Sequence, residues 1–279
     1  MKISGFTIAR NAVKFNYPIL ESIQSILPIC DEFIINVGDS EDATLSLIQS
    51  IRSPKIRIIQ TSWDMSKGKE VLSQQTNLAL KACQGDWAFY LQSDELVHED
   101  DLPKLKRMME NSLNEGVDAL RFPWLHFYGS YYRYRIDEGW YQKQDRIIRN
   151  NGEMESFGDA FSFRRKDGKD LKRKTTGCFI YHYGWVQPEN VMAKRIQNAQ
   201  TIGFASDRDR EVKGQYSFGD LNRFPIYFGP HPHVMKERIS GHDLSNKDLN
   251  EINKRFWWFP PKILRMRYKT GLRIKRRVV

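Results

Sequence analysis

The 279-residue chain contains no run of eighteen or more apolar side chains, so no segment is long enough to cross a bilayer as a helix. Cysteine is scarce. Cys30, Cys83 and Cys178 are odd in number, far apart and without paired metal-ligand spacing, which predicts reduced thiols in a cytosolic compartment. Met1-Lys2-Ile3-Ser4 leads straight into a predicted strand, so no signal peptide is expected. There is no internal repeat, and no low-complexity linker interrupts the chain before its C-terminal segment. That segment lacks one sign of charge: Lys254 to Val279 holds ten lysines and arginines and no Asp or Glu, equal to the formal net charge of +10 for the whole chain. Residues 1–253 therefore sum to about zero.

Among those cations stand Phe256, Trp257, Trp258, Phe259, Ile263, Leu264, Met266, Tyr268 and Leu272. Such a segment can bury its aromatics at a lipid interface while its cations meet anionic headgroups, at about 1 kcal/mol per residue near the surface. Packing of the tryptophans on the protein's own surface is one alternative, and attraction of nucleic-acid phosphates is another.

The most informative stretch is Trp87-Ala88-Phe89-Tyr90-Leu91-Gln92-Ser93-Asp94-Glu95, an apolar run that ends in two carboxylates. Five successive apolar or aromatic residues read as a strand buried on both faces. Ligands of open α/β sheets collect at the carboxyl ends of strands, where Asp94 and Glu95 fall. A carboxylate there can hold a divalent cation, and the cation a diphosphate. The alternative is that Asp94 and Glu95 merely lead into a helix at Asp100-Asp101-Leu102-Pro103.

Upstream, strands are predicted at 2–9, 33–37 and 56–60, with a helix carrying Ile19, Leu20, Ile23, Ile26 and Leu27 and another from about Ala43 to Ile51. Alternating strands and helices imply parallel pairing. Downstream, a helix over 101–114 and a strand over 117–122 precede Trp124 to Arg135. That run is dense in aromatics and arginine and is open to two readings, an acceptor-sugar surface or packing under a loop.

The order of Thr7-Ile8-Ala9-Arg10-Asn11, the acidic turn from Asp39 to Thr44, the helix Gln74 to Leu80 leading to Gly85-Asp86-Trp87, and Gln92-Ser93-Asp94-Glu95 resembles the family 2 glycosyltransferases of the GT-A fold. Ile180 to Val186 and His231 to Lys236 resemble a bacterial and archaeal branch of that family. The resemblance covers residues 3–240 and implies a Rossmann-like mixed sheet flanked by helices, with a GT-A domain at 1–240 and a basic aromatic extension at 241–279.

It also implies a nucleotide-sugar donor, a UDP-sugar if Asp39 accepts from the uracil imide, and a glycan or lipid-linked acceptor. The inferred setting is the cytoplasm, with peripheral attachment to the inner face of the cell membrane. Thr7, Ala9, Arg10 and Asp39 match the places where this fold holds base and ribose, and Lys67 and Lys69, flanking Gly68, either approach the diphosphate or are solvated loop lysines. The usual Asp-x-Asp signature is altered, because Gln92 replaces its first acid. An amide still accepts a ribose hydroxyl but carries no charge. Gln92 and Ser93 therefore join the donor site, and ligation of Mn²⁺ or Mg²⁺ falls on Asp94.

His182, at the end of Cys178-Phe179-Ile180-Tyr181, is the expected second ligand, with His231 and His233 as competitors and a purely structural, hydrogen-bonded His182 as the alternative. Imidazole favours Mn²⁺ over Mg²⁺. An inverting transfer needs a carboxylate base, for which Asp159 is preferred over Asp137 and Glu138, the alternative being that Asp159, between Gly158 and Ala160, only shapes a turn. Two rival functions remain: a basic nucleic-acid-binding protein, and a sugar-binding relative without catalysis, suggested by Gln92.

Overall fold

The computed structural model describes residues 1–135, 140–201, 203, 215–240 and 242. Apart from residue 242, the basic extension, like the candidate bases Asp137 and Glu138, lies outside the described residues. The first half comprises β1 (Ile3–Ala9), α1 (Ile19–Ile26), β2 (Glu32–Val37), α2 (Thr44–Gln49), β3 (Ile56–Gln60), α3 (Glu70–Ala82), β4 (Trp87–Tyr90), β5 (Glu95–Val97) and α4 (Leu102–Asn114). The second half comprises β6 (Ala119–Tyr128), β7 (Tyr134–Arg135), β8 (Lys143–Arg149), β9 (Met154–Phe157), β10 (Ser162–Arg165), β11 (Arg173–Thr175), β12 (Ile180–Trp185), α5 (Glu189–Thr201) and α6 (Lys236–Ser240).

The main sheet has the order β3-β2-β1-β4-β8-β6-β12-β5, with β7 and β11 also paired to β6. β3, β2, β1 and β4 run parallel, and strands that follow one another in the chain are joined through a helix, as the alternation predicts. Beyond β4 the sheet becomes mixed. β8 is antiparallel to both β4 and β6, β12 is parallel to β6, and β5 is antiparallel to β12. This is the mixed, helix-flanked sheet of the GT-A type.

Strand side chains alternate between two cores, which is why β1, β2 and β4 read as continuous apolar runs. Ile3, Phe33, Ile35, Val37, Trp87 and Phe89 pack with Ile19, Ile23 and Ile26 of α1 and Leu102, Leu105 and Met109 of α4. The intervening Phe6, Ile8, Ile34, Ala88 and Tyr90 pack with Ala79 and Leu80 of α3 and with Met154 and Phe163 of the β9–β10 hairpin. All of Trp87 to Leu91 is fully buried. The aromatic run after Trp124 is largely packing: β6 continues to Tyr128, and Phe127, Tyr131 and Tyr134 form a third core with Tyr181 and Tyr183.

Asp94 and Glu95 do not cap α4. Glu95 opens β5, and a separate turn at Glu99–Asp101 leads into the helix. The fully buried Glu95 carboxylate instead receives two hydrogen bonds from the fully buried Arg146 of β8, Nε to Oε2 at 2.6 Å and Nη2 to Oε1 at 2.7 Å. Burial alone would lower the proton affinity of the guanidinium, but the Glu95 charge and hydrogen bonds overcome this and raise it. Arg146 also lies over the rings of Trp124 and Tyr90, at 4.8 and 5.5 Å, and donates to the Phe161 carbonyl at 2.8 Å.

Removing one partner of such a pair strands a buried charge. Arg146→Met and Glu95→Met should each lower unfolding stability by about 3–5 kcal/mol, and the double variant should lie closer to wild type than either single. Urea unfolding of the three variants checks this.

Candidate active site

The parallel strands β1, β2 and β4 deliver their carboxyl ends to one edge of the sheet, and the loop after β4 is held there by hydroxyls. Thr7 Oγ1 donates to the Leu91 carbonyl at 2.6 Å, Ser93 Oγ to the Ile8 carbonyl at 3.0 Å, and Ser22 Oγ to the Gln92 carbonyl at 3.0 Å. The Gln92 amide nitrogen donates to Ala160 O at 3.3 Å, and its backbone N–H donates to Glu95 Oε2 at 3.2 Å. Thr7 is fully buried, so its hydroxyl joins β1 to β4. Gln92 joins the loop to the segment that carries Asp159.

Asp94 emerges from this loop nearly buried. Its Oδ2 lies 3.6 Å from His182 Nε2 and 3.4 Å from an Arg195 Nη2 of α5. Register brings them together: His182 of β12 pairs with Glu95 of β5, and the Tyr183 N–H donates to the Asp94 carbonyl at 2.8 Å. Burial would push the Asp94 carboxyl up. The neighbouring His182 ring and the Arg195 guanidinium outweigh that, and bring it from its ordinary 3.8 down to about 2.

Gly184 lets the β12 backbone pack closely against both groups. A Cβ there would stand 2.8 Å from His182 Nε2 and closer still to Asp94 Oδ2, so any larger residue would displace them. The carboxylate oxygen and imidazole nitrogen are donors suited to a cation such as Mn²⁺. Among the described residues no third His, Cys, Asp or Glu joins them. A two-ligand site of this kind suits a cation that also takes water and substrate phosphates.

Behind His182 lies His126 of β6, its register partner across the parallel β6–β12 pair. The two Nδ1 atoms are 3.0 Å apart, and His126 Nε2 lies 2.8 Å from the Tyr141 carbonyl. Burial, followed by the proximity of His182, lowers His126 to about 3, so it is neutral at physiological pH. Trp124 stacks on His182 at 5.2 Å between ring centroids. Of the competing histidines, His231 accepts or donates at the Tyr183 hydroxyl, 2.8 Å away, within the aromatic core, and His233 is exposed.

At the neighbouring strand ends Ala9 is buried, while Arg10 Nε donates to the Asp39 carbonyl at 3.0 Å. The Asp39 side chain is exposed and accepts from Ser62 Oγ at 2.9 Å. Asp159 is half-buried beside Ala160. Burial raises its carboxyl, and backbone N–H bonds and the charges of Lys69 and Arg146 only partly oppose this. Lys69, exposed at the start of α3, thus lies on the Asp159 side of the site, and Lys67 is also exposed. Sequence reading missed His126, Arg195 and the Arg146 partner of Glu95. His126 becomes visible only through strand register, and nothing in the local pattern around Arg195 marks it.

Because the Asp94 carboxyl is depressed in the folded chain, its ionisation stabilises the fold above pH 4, and this contribution is lost as pH falls through about 2. In chelator-treated protein the stability difference between wild type and Asp94→Asn should shrink by about 2 kcal/mol between pH 5 and pH 2, as a shift of about two pH units implies. Denaturant unfolding across that range checks it.

No curated protein matches the chain. Among solved structures it is similar to S. aureus TarS, at 15% identity and a TM-score of 0.42, over 76% of this chain and 42% of that one, so it spans less than half of that protein's length. It is also similar to S. aureus TarS 1–349 in complex with UDP-GlcNAc, at 15% identity and a TM-score of 0.41, over 76% and 70% of the two chains. The complex of the same fragment with UDP gives 17% identity and a TM-score of 0.39, over 76% and 69%. The family model described as "Glycosyl transferase family 2" matches residues 7–188, well over half of the chain. This chain belongs to glycosyl transferase family 2.

Proposed function

We propose that this glycosyltransferase moves a sugar from a nucleotide-sugar donor, a UDP-sugar, to a hydroxyl of a glycan or glycolipid acceptor, with inversion, in building a surface polysaccharide or glycolipid. The observation that carries the reading is the placement of Asp94 and His182, 3.6 Å apart and packed against the bare backbone of Gly184, beside the carboxyl ends of the parallel strands. Asp94 and His182 would hold a divalent cation, Mn²⁺ or Mg²⁺. When bound, that ion supplies positive charge to the departing diphosphate.

The remaining chemistry belongs to side chains. Arg195 keeps Asp94 ionised and adds fixed positive charge next to it. Asp39, exposed beyond β2, would accept from the uracil imide, and Arg10 braces its backbone. Asp159, raised by burial into a better range for a base, takes the proton of the acceptor hydroxyl as the sugar is transferred. Gln92 holds the Asp159 segment against the donor loop through Ala160.

Asp94→Asn should reduce metal-dependent UDP binding and turnover more than 100-fold with an unchanged fold. Asp159→Asn should instead lower kcat by about 10²–10⁴ and leave UDP affinity intact. Calorimetric UDP binding with and without Mn²⁺, alongside transfer assays, separates the two effects. Donor binding without turnover in wild type would favour the non-catalytic relative. Salt-sensitive nucleic-acid binding without nucleotide-sugar binding would favour the nucleic-acid reading.

No helix among the described residues is long and apolar enough to cross a membrane. The reading of attachment to the inner membrane face rests on residues 254–279, whose ten cations would place the site near a lipid-linked acceptor, and that of a cytoplasmic setting on the three widely separated cysteines. Deleting residues 262–279 should preserve UDP binding and abolish salt-sensitive sedimentation with anionic liposomes, since salt screens such attraction over about 8 Å. Equal sedimentation with and without the segment would contradict membrane attachment.

A further inference from the structure

We infer that His126 is a positioning residue that fixes the tautomer of His182, holding its proton on Nδ1 and leaving the Nε2 lone pair facing Asp94. The inference rests on the metal reading of Asp94 and His182 and extends it to a residue behind them. The argument is a count of protons along one line of atoms. The Tyr141 carbonyl can only accept, so the 2.8 Å contact requires a proton on His126 Nε2. His126 is buried with no carboxylate against it and is therefore a neutral ring with a single proton, so its Nδ1 is bare.

The 3.0 Å contact between the two Nδ1 atoms then needs one proton, and His182 must supply it. A neutral His182 with its proton on Nδ1 has a bare Nε2, the atom nearest Asp94 Oδ2. Their separation of 3.6 Å is too long for a charge-assisted hydrogen bond, which closes to about 2.7–2.9 Å. Two electron-pair donors therefore face one another across 3.6 Å, and the missing side chain at Gly184 lets both lie against the β12 backbone. The line from Tyr141 through His126 to His182 does for this site what a carboxylate or carbonyl behind a ligating histidine does elsewhere, setting ring orientation and basicity. It also places the backbone at Tyr141, whose exposed ring stacks on Phe161 next to Asp159 and Ala160, in register with the cation-facing nitrogen.

The test is ¹⁵N–¹H correlation on histidine-labelled, metal-free full-length protein at pH 8, above the ordinary histidine range. His182 should show a protonated Nδ1 and a bare Nε2. His126→Phe should lose that bias and weaken Mn²⁺ binding, read by the free-ion electron paramagnetic resonance signal, by about 10–100-fold. His126→Asn, whose amide oxygen can accept from His182 Nδ1–H, should recover most of the affinity. A wild-type His182 protonated on Nε2 would overturn the inference, as would His126→Phe protein that binds Mn²⁺ as tightly as wild type. The wild-type spectrum decides the tautomer even if a variant fails to fold. An Nδ1-protonated His182 in a protein that binds no Mn²⁺ would uphold the inference and remove the metal reading alone.

Discussion

The buried pair of Glu95 and Arg146 is the constraint on which the site depends. It joins the first residue of β5 to the middle of β8, so the turn between β4 and β5 cannot move without stranding a charge in the core. The same carboxylate accepts from the Gln92 N–H, and the same guanidinium donates to Phe161 O, so one ion pair ties the loop bearing Asp94 to the segment bearing Asp159. The stacking of Arg146 on Trp124, and of Trp124 on His182, carries the constraint on to the imidazole. The geometry of the candidate site is thus anchored by a buried charge pair.

The second constraint is the change from a parallel to a mixed sheet. The parallel half presents the ends of β1, β2 and β4 at one edge, as an α/β nucleotide site requires. The mixed half then brings β12 between β6 and β5, so that His126, His182 and Glu95 become neighbours across three strands. Residues separated by dozens of positions meet because side chains in register on adjacent strands share a face.

The first half of the fold was legible because its strands are buried on both faces and its helices are amphipathic, two patterns that periodicity detects directly. The place of Asp94 was legible for the same reason, since it follows a five-residue buried run. Glu95 was not: its sequence neighbours say nothing of Arg146, fifty-one residues later, and a pair of adjacent acids looks alike whether one, both or neither faces a ligand. His182 could be singled out as a histidine ending an apolar run, whereas His126 lies inside a run of aromatics that reads equally as surface or core. Arg195 projects from a helix of weak amphipathicity, and only the fold brings it to Asp94. The aromatic segment after Trp124 was ambiguous for a physical reason: flat rings serve sugar stacking and core packing alike.

The central claim is that Asp94 and His182 together present a cation to the donor diphosphate. A crystal structure of the full chain with UDP and Mn²⁺, with anomalous scattering used to locate the metal, tests it most directly. A manganese ion ligated by an Asp94 oxygen, His182 Nε2 and the diphosphate is the expected result. UDP bound with no manganese between these two side chains, its diphosphate met by Arg195 and Lys69 instead, would contradict it.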